Sequence, residues 1–326
     1  MTTRVPLTQI APTAWEHPAD RAALNALRRI PGFDDVIRRV AAAIGDRGLR
    51  HLFLADAVRV GPTQRPQLHA LWTEVLESLD WPTRPELYVT QSPSVNAGAV
   101  GFGEPFVVIN SGTLELLSPD EQRFVLAHEL GHIMSGHVVY RTIANIILMV
   151  GLSALPFLAT VALLPFQIAL LEWYRKSELS SDRAALLATQ DRTAAMMGFL
   201  KLAGGKEYGD TLDMETFVQQ AKEYAIDDTA WDAVLKAINT ALRQHPFRTV
   251  RAGELERWIE SGDYARIVAG EYPRRGTAEA QRPYAEDFGD AADYYKEKAR
   301  DAGAQLQDMA SRAKDAFTEA FRSATR

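Results

Sequence analysis

Residues 118–132 read Ser118-Pro119-Asp120-Glu121-Gln122-Arg123-Phe124-Val125-Leu126-Ala127-His128-Glu129-Leu130-Gly131-His132. The stretch opens with a helix-start signal: Ser118 as N-cap, Pro119 at the first helical position and Glu121 three residues after the cap, a capping box. The spacing predicts a helix from about residue 119 to about residue 141. His128 and His132 stand four apart, so on a helix they lie one above the other and both imidazoles can reach one ion. Glu129, offset by one residue, can sit beside the metal and act on water. Zinc brings the pKa of a bound water to around neutral, where a carboxylate can take its proton. HExxH also arises by chance; the capped helix and the β-segment before it favour the chemical reading.

A catalytic zinc site needs a third protein ligand and an open fourth position. His137 is nearest in sequence. On a continuous helix it would stand about half a revolution from His128, and a metzincin-type third histidine would fall at Val138 instead. His137 therefore reads as structural. Further on comes Lys176-Ser177-Glu178-Leu179-Ser180-Ser181-Asp182. Glu178 and Asp182 again share a helical face. Glu178 can complete a two-histidine, one-glutamate set, and Asp182 can accept a hydrogen bond from the outer nitrogen of a ligating histidine. An ordinary solvated charged face beside Lys176 and Arg183 is the plain alternative.

Upstream, residues 86–110 change character. Glu86–Thr90 and Phe106–Asn110 are short runs rich in Val, Ile and Tyr with Gly98, Gly101, Gly103 and Pro105 between them, which reads as a small β-meander. Residues 1–80 read as a helical lead-in with no visible chemistry. Its histidines, His17, His51 and His69, read as solvated or core residues. Downstream, residues 143–171 carry no charge and are broken by Pro156 and Pro165. A single transmembrane span is excluded, because His132 and Glu178 must meet at one ion. Two full spans need about 40 residues, more than the stretch offers. A helical hairpin follows, either dipping into a membrane or buried against the protein. Helical character continues to about residue 269, residues 272–276 read as a linker, and residues 291–326 as a long helix.

The chain has a net charge of −6 and no cysteine among its 326 residues. The acidic balance argues against nucleic acid as a partner. Without thiolates, any transition metal must be held by His, Asp or Glu. Residues 1–20, interrupted by Pro6, Pro12 and Pro18, lack a signal-peptide core, so a cytoplasmic location is expected, with membrane association through residues 143–171 left open.

Together these blocks resemble the M48 peptidases, the Ste24/HtpX-like gluzincins. The resemblance runs from about residue 86 to about residue 255 and includes Asn96-Ala97, the strand Phe106–Asn110 with Ser111-Gly112, His128 to His137, Glu178 to Asp182, and His245-Pro246 followed by Arg251 and Leu255. It implies a zincin-like peptidase core, which with the readings above gives a mainly α (α+β) fold: a peptidase domain over residues 81–271 with the small β-meander and the hydrophobic hairpin insert at 143–171, followed by the linker and C-terminal helix read over 272–326. It implies zinc-dependent endopeptidase activity on polypeptides, with one zinc ion per chain held by His128, His132 and Glu178, and Glu129 as catalytic base. Asp182 and Arg251 would support the ligands. His245 would assist the oxyanion or occupy the fourth metal position and hold the enzyme inactive. Asn96, Ala97, Val108 and Asn110 would line the substrate cleft, with the strand 106–110 edging it. Gly98 departs from the family pattern, which often has a larger residue there, and leaves the role of the Asn96 loop open. The competing reading is a membrane-associated binding or scaffold protein on an inactive peptidase fold. Tyr295, Ala299, Ala302, Leu306, Met309, Ala313, Ala316 and Ala320 form a heptad-like stripe, so the last helix is expected to dock on the body or on a second copy, forming a homo-oligomer.

Overall fold

The computed structural model describes residues 4–29, 33–150, 157–206, 212–225 and 247–280. It is mostly helical, with one small sheet, an α+β fold as expected. The chain runs α1 (Pro18–Arg28), α2 (Phe33–Leu54), β1 (Ala57–Arg59), α3 (Pro66–Ser78), β2 (Glu86–Thr90), β3 (Ala97–Val100), β4 (Phe106–Asn110), α4 (Ser111–Leu116), α5 (Pro119–Met134), α6 (Val138–Val150), α7 (Phe157–Thr189), α8 (Arg192–Gly204), α9 (Met214–Ala225), α10 (Arg248–Glu260) and α11 (Asp263–Val268).

The central helix is α5. Its start follows the capping box: the Ser118 side chain accepts from the Glu121 N–H, and the Glu121 carboxylate accepts from the Ser118 N–H at 2.8 Å. Lys201 of α8 then pairs with Glu121 at 2.8 Å. Helices α3, α7 and α8 and strand β3 surround α5, so Phe124, Leu126, Ala127 and Leu130 all bury, as expected for a helix apolar on most sides. The α7 helix crosses it closely at Gly131. A Cβ there would lie 2.8 Å from Ala184 Cβ and 3.2 Å from Ser181 Cα.

The helix stops at Met134, short of the expected residue 141. Gly136 takes φ +69°, its N–H bonds to the Ile133 carbonyl, and the His137 N–H bonds to the His132 carbonyl at 3.0 Å. This is a Schellman end, which a glycine at that position favours. A new helix, α6, starts at Val138 and packs on α7. The expected hairpin corresponds to α6 and the start of α7, but its bend at residues 151–156 lies outside the described residues. Among the described residues, no helix is long and apolar enough to cross a membrane.

The sheet has the order β1-β2-β4-β3, which corrects the expected meander. The β2 and β4 strands pair in parallel, and β3 crosses to the far side of β4 and pairs antiparallel with it. Strand β4 is therefore covered on both edges and both faces. Val107 and Ile109 join the main core with α5, while Phe106 and Val108 pack with Leu49 of α2. Burial on both faces explains the continuous apolar run Phe-Val-Val-Ile.

Residues before 80 share this core. Strand β1 pairs with β2, and Trp72 and Val75 of α3 pack in the main cluster with Phe124. Helix α1 lies on α7. Residues 272–276, which read as a linker, are strapped to the N-terminal segment instead. Ile10 bridges Arg274, the Ala11 N–H bonds to Pro273 O and the Arg275 N–H to Gln9 O. The helix expected over 291–326 lies outside the described residues.

Candidate metal centre

Two helices build the centre from adjoining turns. His128 and His132 come from α5, and Glu178 comes from α7. All three are buried, and one ligand atom from each lies within 4.8 Å of the others. His128 Nε2 and His132 Nε2 are 3.1 Å apart, and Glu178 Oε1 is 3.3 Å from His132 Nε2. Gly131, set against Ser181 and Ala184, lets the two helices approach this closely.

The outer nitrogens are engaged elsewhere. His128 Nδ1 faces Asp182 Oδ1 at 2.9 Å. An ionised carboxylate only accepts, so this contact places a hydrogen on Nδ1. His132 Nδ1 faces His137 Nδ1 at 3.1 Å. His137 thus stands outside the cluster of three, though for a different reason from the continuous-helix geometry: the Schellman turn brings it behind His132. The donor set of two imidazoles and one carboxylate, with both Nε2 atoms converging, fits a zinc ion.

Buried charge around the centre is paired. Arg251 on α10 donates from Nε to Asp182 Oδ2 at 2.7 Å and lies 2.9 Å from Glu178 Oε2 through NH1. Arg141 on α6 donates to Glu178 Oε1 and stacks on the Tyr174 ring, with Cζ 4.0 Å from the centroid. Burial opposes ionisation of Asp182, but the Arg251 guanidinium outweighs it and holds the carboxyl below its ordinary value. Burial, reinforced by Arg141, drives His132 well below the ordinary imidazole value and keeps it neutral. Burial and Arg251 press His128 the same way, yet hydrogen bonds with Asp182 and Glu178 carry it upward. Burial lifts the Tyr174 phenol to about 12. Burial and then Arg251 bring the Arg248 guanidinium down to about 10.

Glu129 sits beside the ligands, 3% exposed, with Oε2 accepting from the Ala99 N–H of β3 at 2.8 Å. Glu129 lines an open cleft with His128, Asn96, Ala97, Thr113, Phe199 and Arg248. The Asn96 peptide is fixed by Thr113 Oγ1, which bonds both its N–H and its carbonyl at 2.8 Å. Val108 and Asn110 are not in the cleft. Asn110 accepts from Thr90 Oγ1 and donates to Ser94 O, bracing the loop before β3. The free edge beside Glu129 belongs to β3, because β4 is paired on both sides. His245 lies outside the described residues.

Residues 62–259 match the sequence profile described as Peptidase family M48, more than half of the chain. The chain belongs to peptidase family M48. Its relatives include the plastoglobule-localized metallopeptidase 48 of Arabidopsis thaliana, 33% identical over 260 residues that cover 78% of this chain and 74% of that protein. The protease HtpX homolog of Helicobacter acinonychis is 26% identical over 196 residues, 52% of this chain and 63% of its own length. That of Aquifex aeolicus is 36% identical over 101 residues, 30% of this chain and 32% of its own. No solved structure matches. As an M48 member the chain is a metallopeptidase, and His128, His132 and Glu178 are where it could hold a metal. Arg141, Tyr174 and Asp20 went unseen in the sequence, because nothing in their local spacing ties them to residues so far along the chain.

Proposed function

We propose that this M48 protein is a zinc-dependent metalloendopeptidase that hydrolyses polypeptides, with His128, His132 and Glu178 as ligands and Glu129 as general base. One observation carries the reading: three buried ligand atoms converge within 4.8 Å, and His128 and Glu178 of that set line a cleft together with Glu129. Bound there, zinc would supply Lewis-acid chemistry, acidifying water and polarising a peptide carbonyl.

The rest falls to the chain's own groups. The Ala99 N–H holds Glu129 Oε2, leaving the second oxygen to take a proton from the attacking water and return it to the departing amine. Asp182 keeps the hydrogen of His128 on Nδ1. Arg251 ties Asp182 and Glu178 together. The free edge of β3, with Ala97 in the cleft, offers backbone groups to an extended polypeptide. Such β-addition binds with little sequence selectivity, which suits an endopeptidase.

Glu129→Gln tests the reading. The variant should retain one zinc per chain yet lose hydrolysis of an unfolded protein substrate by at least about 100-fold, the usual scale of a proton-transfer catalyst. Full activity in Glu129→Gln would reject Glu129 as base.

A further inference from the structure

The imidazole of His132 has two faces to satisfy, and only one of them points at the other ligands. Its Nδ1 meets His137 Nδ1 at 3.1 Å. One of these nitrogens must donate and the other accept. The far side of His137 decides which: Nε2 faces Asp20 Oδ2 at 3.0 Å. An ionised carboxylate only accepts, so His137 carries its hydrogen on Nε2 and offers a bare Nδ1. His132 then donates from Nδ1, and its Nε2 lone pair is left facing Glu178 and His128. The hydrogen-bond pattern thus assigns the tautomers of both rings. The reverse arrangement would put hydrogen on His132 Nε2 and close it to a metal.

The dyad is built into the fold. The Schellman turn at Gly136 folds His137 back behind His132, and the His137 ring, 1% exposed, packs edge-on against Trp173 with centroids 5.7 Å apart. Asp20 lies in the first turn of α1. Ser180 pins that turn to α7, donating to Asp20 Oδ2 and accepting from the His17 N–H at 2.9 Å. Ser180 stands two residues from Glu178, so a single stretch of α7 supplies one ligand and fixes the carboxylate behind another. Asp20 lies outside the residues that match the M48 profile, 62–259.

We propose that Asp20 and His137 form a positioning dyad that sets the tautomer and ring angle of His132, so that the N-terminal helix α1 is a working part of the metal centre. The proposal rests on the reading of His128, His132 and Glu178 as zinc ligands.

Zinc affinity of the full chain, measured by competition with a chromophoric chelator, and the visible spectrum of the cobalt-substituted protein test it. Asp20→Ala and His137→Phe should each weaken zinc about 10–100-fold, as outer partners of metal-bound histidines do, and shift the cobalt bands. His137→Asn places an amide oxygen near the position of Nδ1 and should recover part of the loss. Asp20→Ala combined with His137→Phe should bind no more weakly than His137→Phe alone, because the two act in series. Unaltered affinity and spectrum in Asp20→Ala and His137→Phe, whatever their melting temperatures, would overturn the dyad. An effect of His137→Phe without one of Asp20→Ala would overturn the part given to α1. If His137→Phe does not fold, Asp20→Ala decides alone. His132→Ala keeps the two readings apart: wild-type zinc affinity in that variant would mean that the ligand assignment itself, and not the dyad, is wrong.

Discussion

Glu178 lies against both histidines and is gripped by Arg141 and Arg251. On the proposed ligand set it is one anchor of three, so Glu178→Ala should lower zinc affinity sharply. Asp182 pairs with His128 and Arg251, and Asp182→Ala should cost about 10–100-fold in zinc affinity. Metal content after dialysis against a chelator checks both, and the opposite ranking would exchange their roles. His128, Glu129, His132, Glu178 and Asp182 were legible in the sequence because each pair sits at a helical interval, and an interval is local information. The use of His137 was not, because its approach to His132 depends on where α5 ends. Asp20 was not either: a single acidic residue in a first helical turn ordinarily needs no explanation beyond the helix dipole.

Helices α5 and α7 act as one unit, since each carries residues of the candidate metal centre and they touch at a residue without a side chain. Gly131→Ala would drive a methyl into Ala184 and Ser181 and force the helices apart. The expected cost is about 1–3 kcal/mol of stability, seen as a lower melting temperature together with weaker zinc binding. A melting temperature at or above the parent's would show that the crossing can relax. The start of α5 was readable because Ser118, Pro119 and Glu121 announce it within four residues. Its end was misplaced because the apolar pattern runs on through Val138 into α6, and Gly136 is the residue that marks the stop. Strand order was hidden for a different reason. Alternation and turn residues locate strands, but whether β3 pairs with β2 or crosses beyond β4 depends on which helices cover the sheet.

Across the whole molecule, the segment at 272–276 closes the body against residues 8–11. Arg275 donates to the carbonyls of Ile10 and Asp80, and Arg274 to that of Thr8. Arg275→Ala should lower stability by about 1–3 kcal/mol, the range for hydrogen bonds to a charged donor, while leaving zinc affinity unchanged. Denaturant titration and chelator competition on the same sample check this. Truncation after Gly276 addresses the docking expected of residues 291–326: a change of oligomeric state by light scattering or a lower melting temperature supports it, and an unchanged oligomeric state and stability would make the tail a passive appendage. The fold class was legible from helical periodicity and one short β-rich stretch; the strap was not, because an isolated pair of extended segments has no periodic signature. The span of the centre also bears on how the protein is made. Asp20 leaves the ribosome early, yet its site waits for Glu178 and then for Arg251. At roughly 5–20 residues per second that interval lasts about 10–50 s. Throughout it the growing polypeptide lacks the full set of side chains around the candidate metal centre, so on the proposed reading a nascent chain gains peptidase activity only after Arg251 has been added.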